Sequence, residues 1–185
     1  MPSYPSYALQ HPDAYRTEGA ILGVVLRPLT KHLDERGWLM EFLNGDIRHQ
    51  FTTVSGFSES GAPNDPAYHG YCSLNFPYET RAFHVHQEQT DLWVLWMGRI
   101  LVGLVDDRPN QPPRYMRFVM GEESPQYLII PKGVLHGYQT IGSSSSLLMN
   151  LPDRPYNPAD EARYPSDGPL GIGGSFGGGE FKWGA

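Results

Sequence analysis

Prolines and glycines divide this chain into short apolar segments, and that division limits the folds available to it. The sequence has 17 prolines and 21 glycines spread over 185 residues. Between these breaks lie short runs rich in apolar, β-branched and aromatic residues, at 21–26, 38–43, 92–96, 100–105, 114–120, 127–130 and 146–150. Short runs at such spacing predict an all-β sandwich or barrel. One short helix is expected at 158–164, with Asn157 as its N-cap and Pro158 at its first position.

Composition limits the function classes. A net charge of −6 argues against broad nucleic-acid binding, since phosphate neutralisation needs a basic face. No apolar run approaches the ~20 residues of a membrane span, so no membrane association is expected. Cys72 is the single cysteine, which rules out an intrachain disulfide and favours a reducing cytoplasm as the location.

Composition shifts along the chain predict one domain with two extensions. Residues 1–19 are expected to form an N-terminal arm, residues 20–167 a β-barrel domain, and residues 168–185 a glycine-rich tail. The polar, proline-containing segment 57–70 is expected to be a long loop.

Three histidines and one aspartate form the most informative pattern for function. His84 and His86 are two apart in a predicted strand, so their imidazoles face one side, and Asp91 follows after four further residues. His136 would join them from a neighbouring strand. Such a set suits zinc, iron, manganese or nickel, and it equally suits acid–base chemistry. The spacing leaves both interpretations open.

Two stretches resemble the paired motifs of the cupin superfamily, a jelly-roll β-barrel. The first is His84-x-His86 with Asp91 and then Gly98, where Asp91 occupies the usual glutamate position. The second is Pro131-x-Gly133-x-x-His136, which has a proline at 125 where the motif normally opens with glycine. The resemblance implies a cupin-type double-stranded β-helix with an N-terminal strand extension.

A closer resemblance, from about 29 to 167, is to the dTDP-4-dehydrorhamnose 3,5-epimerase family of cupins. It rests on five segments in shared order: Asp34-Glu35-Arg36-Gly37 with Glu41-Phe42, Arg81-Ala82-Phe83-His84, Val105-Asp106-Asp107-Arg108, Ile130 to Tyr138, and Tyr156-Asn157-Pro158 with Glu161 and Asp167. The resemblance implies an isomerase of carbohydrate biosynthesis that acts on a 4-keto deoxysugar nucleotide without a cofactor.

The same resemblance implies a role for each matching residue. His84 would remove a proton beside the sugar ketone, and Asp167 would orient and charge-pair it. Arg36 and Glu41 would touch the nucleotide, and the swapped N-terminal strands of that family imply that they do so across a homodimer interface. The remaining expected substrate contacts are Arg81 at the diphosphate or sugar, His136 in the pocket, and Tyr138.

Two positions depart from the family pattern. Asp91 stands where the family has a lysine that stabilises the enolate oxygen, and a carboxylate would repel such an oxygen. Met149 aligns with the tyrosine that returns the proton, and Tyr138 and Tyr156 are the candidate substitutes. These departures predict a single or otherwise altered epimerisation.

Three functions follow as hypotheses. The first is the isomerase just described. The second is a metal-dependent cupin enzyme, a dioxygenase or a metal-assisted isomerase, in which His84, His86, Asp91 and His136 hold a divalent cation. The third is a non-catalytic module that binds a sugar nucleotide.

Overall fold

The computed structural model describes residues 21–56, 69–109, 114–166 and 183, and the regular structure within them is β-strand apart from one helix. Its twelve strands are β1 (Val25–Pro28), β2 (Lys31–Asp34), β3 (Gly37–Met40), β4 (Tyr71–Asn75), β5 (Thr80–His86), β6 (Asp91–Met97), β7 (Arg99–Asp106), β8 (Arg114–Gly121), β9 (Gln126–Ile130), β10 (Val134–Thr140), β11 (Ser146–Asn150) and β12 (Glu161–Arg163). The all-β jelly-roll prediction is confirmed.

Two five-stranded sheets make up the body of the domain. The first sheet has the order β1-β9-β6-β11-β4, and the second has the order β12-β5-β10-β7-β8. Strands β2 and β3 form a separate hairpin. All pairings are antiparallel, so side chains alternate between the inner and the outer face of each sheet.

The main core lies between the two sheets. It includes Trp93, Leu95 and Leu128 of the first sheet, with Ile100, Val102 and Leu104 of the second. Trp93 faces inward, whereas Trp96 lies on the outer face and stacks on Trp38 of the hairpin at 6.1 Å between ring centroids. The two tryptophans are three residues apart in β6, so strand alternation places them on opposite faces.

A helix covers the outer face of the first sheet, and the sequence analysis did not predict it. Helix α1 runs from Gly45 to Ser55, where Asn44 caps it by accepting a hydrogen bond from the Ile47 amide at 3.0 Å. Gly56 ends it in the left-handed conformation, at φ 69°. The helix is short and its apolar residues occupy only a few turns, so the helical repeat of apolar residues was too brief to be recognised in the sequence.

The helix expected at 158–164 is wrong. Asn157 does accept a hydrogen bond from the Ala159 amide, but only a turn follows. Residues Glu161–Arg163 then form strand β12 on the edge of the second sheet, paired with β5. Three residues gain more from completing a sheet edge than from an isolated helical turn, whose nucleation is costly.

Most of the predicted extensions lie outside the described residues. These are the arm at 1–19, the greater part of the loop at 57–70, and the tail at 168–185 apart from Trp183. Trp183 packs on Phe83 at 5.1 Å between ring centroids and donates a hydrogen bond to the Ser166 carbonyl. No helix in the described ranges is long and apolar enough to cross a membrane.

Candidate active site

A cavity of about 570 Å³ opens between the two sheets. This volume falls in the range of small-molecule sites, about 300–1,000 Å³. Its described lining comes from both walls and from the segment that joins β11 to β12: Tyr71, Ser73, Thr80, Arg81, Ala82, His84, His86, Trp93, Tyr138, Leu148, Asn150, Tyr156, Glu161 and Arg163. Polar and aromatic side chains predominate, as expected for a site that binds a polar ring.

An irregularity in β5 brings both Arg81 and His84 to this cavity. Between Tyr138↔Arg81 and His136↔His84, the register of β10 against β5 shifts by one residue. Arg81 and His84 are three apart and would face opposite sides of a regular strand, yet both line the cavity. Such bulges re-aim side chains beside active sites.

Close approach of β10 to β5 depends on Gly137. A Cβ atom at this position would overlap the Ala82 side chain and lie 2.7 Å from the Ala82 Cα and 2.9 Å from the Arg81 carbonyl oxygen. Glycine therefore allows His136 to pair directly with His84, with ring centroids 4.1 Å apart.

The four residues of the histidine–aspartate pattern converge, as the sequence analysis predicted. Donor atoms of His84, His86, Asp91 and His136 all lie within 4.8 Å of one another. His86, Asp91 and His136 are almost fully buried. His136 lies beside His84 rather than among the described cavity-lining residues, so its expected place in the pocket wall is not what this structure shows.

Burial and mutual charge set the protonation of this cluster. Burial, followed by the neighbouring His136, holds the pKa of His84 well below its ordinary value, and burial also lowers the pKa of His86. Burial alone would raise the pKa of Asp91, but the facing imidazoles and the Asn150 amide outweigh it and lower that pKa to about 2. At neutral pH His84 is therefore a neutral imidazole with a free lone pair beside a carboxylate.

Two buried atoms of the cluster, one on His136 and one on Asp91, face each other at short distance. His136 places its Nδ1 atom 2.8 Å from the Val134 carbonyl oxygen, which only accepts, so Nδ1 carries the hydrogen. Its Nε2 atom then points at Asp91 Oδ2, 3.1 Å away, and both atoms are buried without a hydrogen-bond partner. A lone pair facing a carboxylate at this distance needs a proton or a cation between them.

The other oxygen of Asp91 is well satisfied. Asp91 Oδ1 accepts hydrogen bonds from Gln89 Nε2 at 2.7 Å and from Asn150 Nδ2 at 2.9 Å. Asn150 Nδ2 also donates to the Tyr71 hydroxyl at 2.7 Å. Burial, then the charge of Asp91, raises the pKa of Tyr71 to about 12. A polar chain thus links the carboxylate beneath the cavity to a tyrosine in its wall.

Met149 does not face this cavity. Leu148 and Asn150, its neighbours in β11, both line the cavity, so strand alternation directs Met149 to the outer face. The residue that the resemblance aligned with the family tyrosine is therefore turned away, and Asn150 occupies the inward position next to it.

Two other predicted site residues, Arg36 and Glu41, are not among the described residues that line the cavity of their own chain. Arg36 sits at the tip of the β2–β3 hairpin, highly exposed and paired with Asp34. Glu41 is exposed just after β3, within 3.4 Å of the Asn44 amide nitrogen. Asp167 lies outside the described residues, so its dyad with His84 stays a prediction.

The cavity also contains residues that sequence reasoning missed. Tyr71, Asn150 and Arg163 line it, yet none belongs to a recognised motif. Arg163 pairs with Glu161 through two hydrogen bonds, at 3.1 and 3.0 Å. The alternation of side chains along the segments 71–75 and 146–150 was the available signal. It does not show which face of each strand points into the cavity.

Comparison with known proteins gives a consistent result. Residues 18–172 match the family model described as dTDP-4-dehydrorhamnose 3,5-epimerase. Over 149 residues the chain is 32% identical to the spore coat polysaccharide biosynthesis protein SpsL of Bacillus subtilis, covering 78% of this chain and 89% of that protein. It is 35% identical to the probable low-salt glycan biosynthesis epimerase Agl13 of Haloferax volcanii, covering 78% and 87%. A dTDP sugar isomerase from Desulfovibrio desulfuricans G20 superposes with a TM-score of 0.69 at 27% identity, covering 87% of this chain and 98% of that one.

Proposed function

Because the chain belongs to the dTDP-4-dehydrorhamnose 3,5-epimerase family, we propose that it isomerises a 4-keto sugar nucleotide by moving a proton at a carbon next to the ketone. The family predicted from the sequence motifs is confirmed by the match, and with it an enzyme of the epimerase type. Relatives named for polysaccharide and glycan biosynthesis support a sugar nucleotide as the substrate class.

One observation carries the proposal: a neutral, partly accessible imidazole stands in a cavity of suitable size between two polar walls. His84 lines the cavity, and its lowered pKa leaves a lone pair free to accept a proton. The reaction is redox-neutral, so it needs a base, a proton donor and charge at the oxygen rather than an electron carrier. Asp167 as the partner of His84 remains part of the proposal.

Two cationic side chains at the cavity support binding of a diphosphate. Arg81 lines the wall and donates to Asn75 Oδ1 at 2.9 Å, which fixes its guanidinium. Arg163 lines the cavity from β12, where it pairs with His84 of β5. Arginine forks suit phosphate oxygens. Arg81 therefore keeps its expected role, and Arg163 joins it.

The test follows deuterium from the solvent into dTDP-4-dehydrorhamnose. In D₂O the purified protein is expected to place deuterium at a carbon adjacent to the ketone, detected by NMR and mass spectrometry. Binding of the nucleotide without any exchange would instead support the non-catalytic module.

A second candidate places a divalent cation in the cluster, and the facing pair of Asp91 Oδ2 and His136 Nε2 favours it. Those atoms and a nitrogen of His86 provide a carboxylate and imidazoles of the kind that zinc, iron, manganese and nickel accept. A cation there would supply the positive charge that the family obtains from lysine, and His84 would remain free as the base.

Elemental analysis of purified protein tests this candidate. This candidate predicts about one metal ion per chain, and it predicts that His86→Ala loses that ion, because one donor is removed. His49→Ala is the matched control, since His49 lies on the exposed side of α1 and should leave the metal content unchanged. If the wild-type protein carries no metal, and added zinc, iron, manganese or nickel does not raise its Tm, the second candidate is excluded.

We also propose a homodimer, supported by apolar side chains on the surface. Leu33 and Leu39 of the β2–β3 hairpin are 79% and 66% exposed, and Phe76 after β4 is 67% exposed. Apolar patches of this kind mark interaction surfaces. In a dimer, Arg36 and Glu41 of one protomer would reach the partner's cavity, as the family resemblance implies. The cytoplasmic location stays a prediction.

Complementation between two inactive variants tests the dimer. If Arg36 serves the partner's cavity, a mixture of Arg36→Ala and His84→Asn chains should form heterodimers in which one of the two sites is intact. Random mixing then restores roughly a quarter of wild-type activity, while either variant alone stays low. A mixture no more active than its components, or a monomer by light scattering, would contradict the arrangement.

A further inference from the structure

We propose that Tyr71 is the proton donor that completes the epimerisation, from the wall of the cavity opposite His84. This inference rests on the proposed function. In the family a tyrosine returns the proton, and that tyrosine aligns with Met149 of this chain; the inference gives its role to Tyr71. Tyr71 lines the cavity, lies in no recognised motif and is absent from the resemblance.

The pairing of the strands places Tyr71 and His84 on facing walls. Across the first sheet, Tyr71, Asn150 and Trp93 lie side by side in β4, β11 and β6. Across the second sheet, His84 and His136 lie side by side in β5 and β10. Trp93 meets His136 at 5.4 Å between ring centroids, which brings the two rows face to face. When one group removes the proton and a second group returns it, inversion of the carbon requires the two groups to lie on opposite faces of the sugar.

Hydrogen bonds orient the Tyr71 hydroxyl. Asp91 as a carboxylate can only accept, so Asn150 must turn its NH₂ group toward it. The second N–H of the same group donates to the Tyr71 oxygen. This oxygen therefore accepts from Asn150, and its own hydrogen is left to point into the cavity. Asp91, at the family's lysine position, thus acts as a positioning residue through Asn150.

The other two tyrosines of the cavity are less suited to this role. Tyr138 lies on β10, in the same sheet as His84, rather than in the sheet that carries Tyr71. Tyr156 donates its hydroxyl hydrogen to Glu161 Oε2 at 3.2 Å. Tyr71 alone among these three combines the opposite wall with a hydrogen not already donated to a described acceptor.

The proton transfers balance without any further reactant. His84 takes the proton from the carbon beside the ketone, which gives an imidazolium and an enolate. The Tyr71 O–H then protonates that carbon from the opposite face, which gives the inverted ketone and a tyrosinate held by the Asn150 N–H. Proton exchange with solvent restores both residues. A pKa of about 12 keeps Tyr71 protonated, and hence a donor, at neutral pH.

The test separates exchange from inversion in Tyr71→Phe. In D₂O with dTDP-4-dehydrorhamnose, the variant should still exchange the proton that His84 removes, at a rate within about tenfold of wild type. Formation of the inverted sugar should fall by roughly 10²–10⁴-fold, the usual loss for one acid–base group. Tyr78→Phe is the control, since it removes a hydroxyl from an exposed tyrosine that does not line the cavity, and it should retain both activities.

Each outcome is decisive. If Tyr71→Phe inverts the sugar at the normal rate, the assignment of Tyr71 is overturned, but the proposed function stands. An equal fall in exchange and inversion also overturns the assignment, because a merely structural role would produce it. Absence of exchange in the wild-type protein overturns the proposed function itself. Thermal unfolding of Tyr71→Phe checks its fold, because the variant loses the hydrogen bond from the Asn150 side chain.

Discussion

His84→Asn is expected to abolish both deuterium exchange and epimerisation, with a loss of about 10²–10⁴-fold in kcat. Asparagine is similar in size and polarity to the imidazole but has no basic lone pair, so the cavity keeps its shape while the base is gone. Arg81 is untouched by this change, and nucleotide binding measured by calorimetry should stay close to wild type.

His49→Asn provides the matched control. It replaces the same residue type on exposed α1, outside the cavity, and should leave exchange and kcat unchanged. Retained exchange in His84→Asn would show that another group is the base. Metal analysis of the same preparation separates loss of a base from loss of a ligand, because only the second lowers the metal content.

Gly137→Ala should cost about 1–3 kcal/mol of unfolding free energy, the usual cost of overpacking. The added Cβ would overlap the Ala82 side chain and press on the backbone of β5, at the Ala82 Cα and the Arg81 carbonyl. Backbone atoms cannot turn aside as a flexible side chain can, so β10 and β5 must separate. For a chain of this size each kcal/mol lowers Tm by roughly 2–4 °C, which calorimetry would detect.

The same substitution should also impair catalysis. His84 and Arg81 are carried by the strand that has to move, and a displacement of about 1 Å of a catalytic group can cost about 10²-fold in rate. Gly45→Ala is the control, because a Cβ there meets nothing within 4 Å and Gly45 lies at the start of α1. It should be neutral or slightly stabilising. A Gly137→Ala protein as stable and active as wild type would show that the two strands tolerate separation.

The site residues that could be predicted from the sequence are those whose positions depend on neighbours a few residues away in the chain. His84 and His86 are two apart in a strand, so their shared face follows from alternation alone. Motif spacing added Asp91 and His136, and the structure brings all four together. Helix α1 and strand β12 were missed because each is short, and tertiary packing rather than local propensity decides such segments.

The sequence by itself determined the all-β class, the family and the convergence of the histidine–aspartate cluster, because strand alternation and motif order act over a few residues. Only the tertiary structure decided which wall each side chain occupies. It turned Met149 outward, admitted Arg81 through the bulge in β5, and linked Asp91 to Tyr71 through Asn150. These facts depend on strand register and on contacts between residues 59 and 79 positions apart, and no local pattern encodes them.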